Sequence, residues 1–121
     1  MASVLVVDDD IAVLRLVSMI LRSEGLSVET ATGGTVALEL LSEAEPDLIV
    51  LDLSMPEMDG RTFYSLARAS GYEGPVVICS AYGAQRVKNE LGTQGAIEKR
   101  FDPEYLVNTV KTLLLNGNQS G

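Results

Sequence analysis

Five short apolar runs recur along the chain, and they constrain the fold more than any other feature of the sequence. The runs cover residues 4–7, 28–31, 48–51, 76–79 and 96–97. The first, third and fourth are continuous and rich in β-branched residues, which is typical of strands buried on both faces of a parallel sheet. The segments between the runs have the apolar spacing of helices. The sequence therefore predicts an α/β fold with a doubly wound, five-stranded parallel sheet and five helices.

The helices are predicted from apolar spacing together with helix start and stop signals. They cover residues 11–24 and 35–43, a segment that starts after Asp59-Gly60, residues 84–91, and a last helix that starts at Pro103 and ends at Asn116-Gly117. A chain of 121 residues is about the size of one domain. We therefore expect one domain over residues 1–116, followed by a polar tail or the start of a linker at 117–121.

Charge and composition exclude several classes of function. The chain has 9 Lys and Arg against 17 Asp and Glu, a net charge of −8, which disfavours direct binding to nucleic acid or to an anionic membrane. It contains no His, which excludes a His-based catalytic triad, and its single Cys79 cannot form an internal disulfide. Because the sequence has no apolar segment long enough to span a bilayer and no recognisable leader, we expect a cytoplasmic protein.

Polar residues follow the predicted strands at the edge where an α/β sheet binds its ligands. Asp8-Asp9-Asp10 follows the first strand, Asp52 the third, Ser80 the fourth, and Lys99 comes just after the fifth. Two carboxylates ~5 Å apart repel by about 3 kcal/mol at an effective dielectric of ~20, so a cluster of acids needs compensation. Oxygen-only ligands favour Mg²⁺, with Mn²⁺ or Ca²⁺ as possible substitutes.

A cation alone leaves Ser80 and Lys99 unexplained, whereas an anion placed beside it on Asp52 accounts for both. We interpret that anion as a phosphoryl group, because transfer to a carboxylate needs charge neutralisation more than a strong base. The alternative is that each acid caps its own helix, and this alternative stays open for Asp10 and Asp59.

The chain resembles the receiver domain of bacterial two-component response regulators, of the chemotaxis-regulator type. The resemblance rests on VLVVDDD at 4–10, LIVLDLSMPEMDG at 48–60, VVICSAYG at 76–83 and GAIEKRF at 95–101. It implies a flavodoxin-like sheet in the order 2-1-3-4-5. It also implies that a histidine kinase or histidine phosphotransfer protein phosphorylates Asp52, and that Asp8, Asp9, Asp52 and the Ser54 carbonyl bind Mg²⁺. Ser80 and Lys99 would contact the phosphoryl group.

The sequence departs from the family pattern at two positions near Lys99. Ala96 stands where the family usually has Tyr or Phe, and Arg100 replaces the proline that commonly follows the lysine. Since a cis bond without proline costs ~2.5 to 4 kcal/mol, we predict a trans bond between Lys99 and Arg100. We also predict that Tyr82, two residues after Ser80, shields the site and slows hydrolysis.

Two surfaces are candidates for partner binding. On the first helix, Val13, Leu16 and Ile20 form a second apolar stripe, which would dock the kinase or phosphotransfer protein. The surface made by the fourth helix, the fifth strand and the fifth helix carries the output in the family, to an effector protein or domain. A homodimer that forms on phosphorylation is a further possibility.

Two other functions remain open from the sequence. One is an interaction module that keeps the receiver fold but switches poorly, because Ala96 and Arg100 replace the usual residues. The other is a phosphatase of the haloacid dehalogenase type, because Asp8-x-Asp10 resembles the nucleophile motif of those enzymes. That family needs a further acidic pair after its lysine and usually a cap over the substrate, whereas Lys99 is followed only by Arg100, Phe101 and the last helix. We therefore expect a signalling domain rather than an enzyme.

Overall fold

The sheet has five parallel strands that alternate with five helices along the chain. The computed structural model describes residues 2–99 and 101–119. The strands are β1 (Ser3–Val7), β2 (Ser27–Ala31), β3 (Leu48–Asp52), β4 (Val76–Ser80) and β5 (Gly95–Glu98). The helices are α1 (Ile11–Ser23), α2 (Gly34–Glu43), α3 (Gly60–Ala69), α4 (Ala84–Leu91) and α5 (Pro103–Gln119).

The strands lie in the order β2-β1-β3-β4-β5, and every neighbouring pair is parallel. This order confirms both the predicted fold class and the order implied by the resemblance. The central strands β3 and β4 are buried at every position, because helices cover both faces of the sheet. This burial explains why their sequences are continuously apolar rather than alternating.

Two apolar layers hold the helices against the sheet. Leu5 and Val7 of β1 point into the layer under α2, α3 and α4, whereas Val4 and Val6 point into the layer under α1 and α5. The alternation follows from the two-residue period of a strand. Because β1, β3 and β4 are neighbours and parallel, their carboxyl ends lie side by side at one edge of the sheet, where the chain turns into the helices.

One predicted boundary is wrong: α5 continues to Gln119, although we predicted its end at Asn116-Gly117. Glycine costs about 1 kcal/mol in a helix relative to alanine, which weakens a helix without stopping it. Arg100 lies outside the described residues, and so do the predicted trans bond that precedes it and the end of the predicted tail at 120–121. Within the described part of the chain, none of the helices has the length and apolar character to cross a membrane.

Candidate functional site

Three carboxylates meet at the carboxyl end of the sheet. One oxygen each from Asp8, Asp9 and Asp52 lies within 4.8 Å of the others. Asp8 follows β1 and Asp52 ends β3, and these strands are direct neighbours, so their register places the two acids side by side. Asp8 and Asp52 are buried, at 2% and 3% exposure, whereas Asp9 is exposed. The site therefore has a buried acidic floor and an open side.

Lys99 compensates the two buried acids. Its Nζ donates to Asp8 Oδ2 at 2.9 Å and to Asp52 Oδ1 at 3.0 Å. Its backbone N–H donates to the Ser80 carbonyl at 2.8 Å, which fixes the chain as it leaves β5. Burial lowers the pKa of Lys99, but the hydrogen bonds to Asp8 and Asp52 and the negative charges of these acids together outweigh burial and raise this pKa. Lys99 therefore stays a cation between the two acids.

Asp52 has a raised pKa. Burial is the main cause, since it disfavours the ionised carboxylate, and the negative charges of Asp8 and Asp9 act in the same direction. The hydrogen bond from Lys99 acts in the opposite direction without cancelling the shift. An added cation at this cluster would lower the pKa of Asp52, because it offsets the repulsion among the acids.

Ser80 lies at the end of β4 and is buried at 6% exposure. Its hydroxyl donates to the carbonyl of Tyr82 at 3.2 Å, so it is turned toward the loop. The side chain of Tyr82 is 88% exposed. Ser54 is also exposed, and it lines a cavity of about 290 Å³ together with Ser80 and Tyr82. Among the described residues, Lys99 is the one that donates a hydrogen bond to the Asp52 side chain.

Gly60 allows the loop after β3 to fold back onto Asp52. The loop after β3 folds back so that the Gly60 N–H donates to the Leu53 carbonyl at 2.9 Å. A Cβ atom at Gly60 would lie 2.4 Å from the Asp52 carbonyl oxygen, which is closer than real contacts allow. The return of the loop onto Asp52 therefore requires glycine at this position. The sequence motif contained this residue, but only the structure shows what it contacts.

Asp10 and Asp59 cap helices, as the alternative interpretation held for these two acids. Asp10 accepts from the backbone N–H groups of Ala12 and Val13 at 2.9 and 3.4 Å, and Asp59 accepts from that of Thr62 at 2.8 Å. The bond from Thr62 lowers the pKa of Asp59. The carboxylate of Asp10 therefore serves as the N-cap of α1, and the acids that come together in the cluster are Asp8, Asp9 and Asp52.

The apolar surface of α1 differs from its predicted stripe. Leu16 is 44% exposed, but Val13 and Ile20 are partly buried against the core. Ile11 and Met19 are more exposed, at 56% and 63%, and the sequence interpretation missed them. Helical spacing alone did not identify them, because the helix is apolar on more than one side. The rotation of the packed helix about its own axis decides which side faces solvent.

Two further residues have clear positions. Ala96 of β5 is partly buried, and its carbonyl accepts a 3.4 Å hydrogen bond from the hydroxyl of Tyr105 on α5.

Cys79 is buried in the core, and burial raises the pKa of its thiol to about 12, which makes it inert as a nucleophile.

Comparison with known families gives a match over nearly the whole chain. The family of response regulator receiver domains matches residues 4–111. The transcriptional regulatory protein PrrA of Mycobacterium leprae is 41% identical over 114 residues, which are 92% of this chain and 49% of PrrA. This chain thus spans about half the length of that relative.

Solved structures agree with this match. The chemotaxis protein CheY4 of Vibrio cholerae has 33% identity and a TM-score of 0.85, over 93% of this chain and 98% of that one. The response regulator TrrA of Thermotoga maritima, solved in complex with Mg(2+)-BeF, has 28% identity and a TM-score of 0.84, over 93% and 99% of the two chains. Together with the strand order and the acidic cluster, these matches show that the chain belongs to the receiver domain family of two-component response regulators.

Proposed function

We propose that this receiver domain accepts a phosphoryl group on Asp52 from a histidine kinase or a histidine phosphotransfer protein, in a reaction that depends on Mg²⁺. The observation that carries the proposal is the position of Lys99, whose ammonium lies within hydrogen-bond distance of both Asp8 and Asp52. A cation held there neutralises a group that becomes more negative on Asp52. A role in stability alone would not need the exposed Asp9 beside it.

The acidic cluster suits Mg²⁺ by its chemistry. Its three ligand atoms are carboxylate oxygens within 4.8 Å of one another, and an octahedral ion with bonds of ~2.0 to 2.1 Å spans oxygens roughly 3 to 4 Å apart. Asp8, Asp9 and Asp52 would hold the ion, with the Ser54 carbonyl as a further ligand. When bound, the ion neutralises charge that develops on the phosphoryl oxygens.

Asp52 would act as the nucleophile. Its Oδ1 is bound to Lys99, whereas Oδ2 has no hydrogen-bond partner among the described residues and is the oxygen available for attack. A bond forms between this oxygen and phosphorus as the bond from phosphorus to the donor's imidazole nitrogen breaks. The imidazole leaves with the electron pair and takes up a proton. Lys99, already placed at 3.0 Å from Asp52, offsets the added charge.

Ser80 would report the phosphorylation by changing its hydrogen bond. Its hydroxyl now donates to a neutral carbonyl, that of Tyr82, and a phosphoryl oxygen is a stronger, charged acceptor. The gain is about 1 kcal/mol, the difference between typical hydrogen bonds to charged and to neutral groups. Changing the ratio of active to inactive conformations from 1:99 to 99:1 requires ~5.5 kcal/mol of differential stabilisation. Ser80 therefore cannot supply the whole change. Movement of Lys99 from Asp8 toward the phosphoryl group would have to contribute.

The partners follow from the same family. The exposed apolar side chains of α1, which are Ile11, Leu16 and Met19, offer a docking surface near Asp9 for the donor protein. PrrA, described as a transcriptional regulatory protein, extends well beyond the matched region. We therefore propose an effector, on the same chain or on another, as the recipient of the signal, and a homodimer as one form of the active state.

The test of phosphoryl transfer is the intact mass after incubation with acetyl phosphate, with and without Mg²⁺. We expect a gain of one phosphoryl group that requires Mg²⁺ and disappears in Asp52→Asn. Asp59→Asn is the matched control, because asparagine caps a helix about as well as aspartate, and it should keep the adduct.

Two results would contradict the proposal. A folded protein that binds Mg²⁺ and gains no mass would favour an interaction module that does not switch. Steady turnover of the donor that is lost in Asp8→Asn and kept in Asp52→Asn would instead identify a phosphatase.

A specific observation keeps the poorly switching module as a second candidate. Ala96 cannot move an aromatic ring between two positions, and its carbonyl is already bonded to Tyr105. Amide NMR spectra of the phosphorylated and unphosphorylated protein separate the two functions. Shifts at α4 and β5 indicate a working switch, whereas shifts confined to the surroundings of Asp52 indicate a receiver that is phosphorylated without changing this surface.

A further inference from the structure

A cavity of about 750 Å³ lies at the amino end of the sheet, opposite the Asp52 site. The segments that lead into β3, β4 and β5 form its wall. We call this cavity the acidic basin. Its polar wall includes Glu45, Asp47, Tyr72, Glu73, Gln94 and Asn116. Among the described residues that line it, three are acids and none is basic. The volume is within the range of small-molecule pockets.

Tyr72 is the buried polar group of this wall. Its side chain is only 4% exposed, and its hydroxyl has no hydrogen-bond partner among the described residues. The hydroxyl lies against Gly74, where an added Cβ atom would come within 2.2 Å of it. The absence of a side chain at Gly74 therefore leaves space for the hydroxyl. A buried hydroxyl without a partner is unfavourable, and a ligand atom in the basin would remove that cost.

The electrostatics of the basin favour a cation. Burial raises the pKa of Tyr72, the charge of Arg68 lowers it, and the charges of Asp47 and Glu45 raise it. Two acids of the basin therefore lie close enough to act on this hydroxyl. Helix α3 ends just before this segment, and its carboxyl end adds partial negative charge. The cation Arg68 packs on the Tyr72 ring at 5.6 Å from its centroid. Arg68 donates to the carbonyls of Tyr72 and Gly74, and it does not line the basin.

The arrangement of the acids disfavours a metal ion. In the described part of the chain, the acids that form a group of three close enough to hold a metal are those of the Asp52 site, and the basin forms no such group. Asp47 already accepts from the backbone N–H of Ser3 at 2.8 Å. Acceptors that are spread over a wide cavity suit a ligand with several separated N–H donors.

We propose that the acidic basin binds an organic cation with ammonium groups, which donate to the Tyr72 hydroxyl and to the carboxylates of Glu45 and Glu73. Two sources supply this chemistry: a free linear polyamine, or a lysine side chain presented by another protein. The proposal does not depend on phosphorylation, because the basin and Asp52 lie at opposite ends of the sheet.

The test is an amide NMR titration of the whole chain with spermidine, in the presence of Mg²⁺ so that the acids of the Asp52 site are already neutralised. We expect saturable shifts at residues 71–75 and at Gln94. Glu73→Gln should weaken binding roughly two- to fivefold, the effect of one exposed charge pair. Glu39→Gln removes the same charge from an exposed position of α2 outside the basin and should leave the affinity unchanged.

Tyr72→Phe is the decisive variant. The lost hydroxyl has no partner in the free protein, so the melting temperature should stay the same or rise, while spermidine affinity falls severalfold. An unchanged affinity in Tyr72→Phe would overturn the assigned site. Equal weakening by Glu73→Gln and Glu39→Gln would also overturn it, since it would indicate diffuse attraction to a chain of net charge −8.

A capped Gly-Lys-Gly peptide distinguishes the two sources. Saturable binding of the peptide at residues 71–75 supports a lysine from a partner protein. Binding of spermidine without binding of the peptide supports a free polyamine. If neither ligand shifts these residues, the proposal is wrong.

Discussion

The two ends of the sheet handle negative charge in opposite ways. At the carboxyl end, Asp8 and Asp52 are buried and share the ammonium of Lys99 at 2.9 and 3.0 Å. At the amino end, the acids are exposed, and the buried polar group is the neutral hydroxyl of Tyr72. Both ends are rich in acids, but only one of them removes acids from water.

The difference teaches that burial, more than the number of charges, makes an acidic cluster chemically specific. A buried carboxylate must have a partner, because its solvation is lost and water no longer screens its neighbours. Asp52 is accordingly held by Lys99 and has a raised pKa, which suits a nucleophile. Exposed acids stay solvated and flexible, which suits reversible attraction of a cation.

The largest expected effect comes from removing Lys99. Lys99→Met leaves Asp8 and Asp52 buried without their cation, and the free energy of unfolding at neutral pH without Mg²⁺ should fall by about 3 kcal/mol. Urea unfolding measures it. Mg²⁺ should restore part of the loss, because it supplies the missing positive charge.

The matched control is Lys111→Met, which breaks the exposed ion pair with Glu24. Exposed pairs contribute less than about 1 kcal/mol, so this variant should be nearly neutral. Equal losses in the two lysine variants would show that burial does not distinguish the carboxyl end from the rest of the surface.

A smaller effect is expected at the loop that returns onto Asp52. Gly60→Ala places a methyl group 2.4 Å from the Asp52 carbonyl oxygen, and the strain should cost about 2 kcal/mol and slow phosphoryl uptake. Gly33→Ala is the control, since no atom lies within 4 Å of its added Cβ and its φ of −171° is extended backbone. A stable Gly60→Ala protein with normal uptake would show that the loop is not held as tightly as its contacts indicate.

The smallest effect is a pH dependence at Asp52. Its pKa is raised in the folded protein, so the folded state binds more protons than the unfolded chain between the ordinary value of 3.8 and the raised value. The free energy of unfolding therefore decreases as pH rises through this window. Without Mg²⁺, Asp52→Asn should match the wild type below the window and be more stable than it at neutral pH.

Asp59→Asn should show the opposite sign, because the pKa of Asp59 is lowered. Its carboxylate contributes stability above the ordinary value of 3.8, and that contribution is lost as pH falls through the lowered pKa. Unfolding curves of the two variants across the acid range measure both slopes. Parallel curves for the two variants would contradict the assigned difference between a buried and an exposed acid.

Much of the fold was predictable from the sequence because its signals are local. The continuous apolar runs predicted β3 and β4, and the N-cap acids Asp10 and Asp59 stand at the helix starts that the structure shows. The end of α5 was not predictable from its glycine, since a single weak residue does not decide where a helix stops. Which residues of α1 are exposed, such as Met19, depends on the rotation of the packed helix about its own axis, and no local pattern specifies this rotation.

The sequence by itself determined the α/β architecture, the order in which polar residues follow the strands, and the resemblance that led to the receiver family. The tertiary structure decided which acids lose their water, that Lys99 bridges Asp8 and Asp52, that Asp10 turns to its helix, and that the Tyr72 hydroxyl lies buried without a partner. The physical reason is that propensity and periodicity act between neighbours in the chain. Desolvation and charge compensation depend on groups that only folding brings together, such as Asp52 and Lys99, which are 47 residues apart.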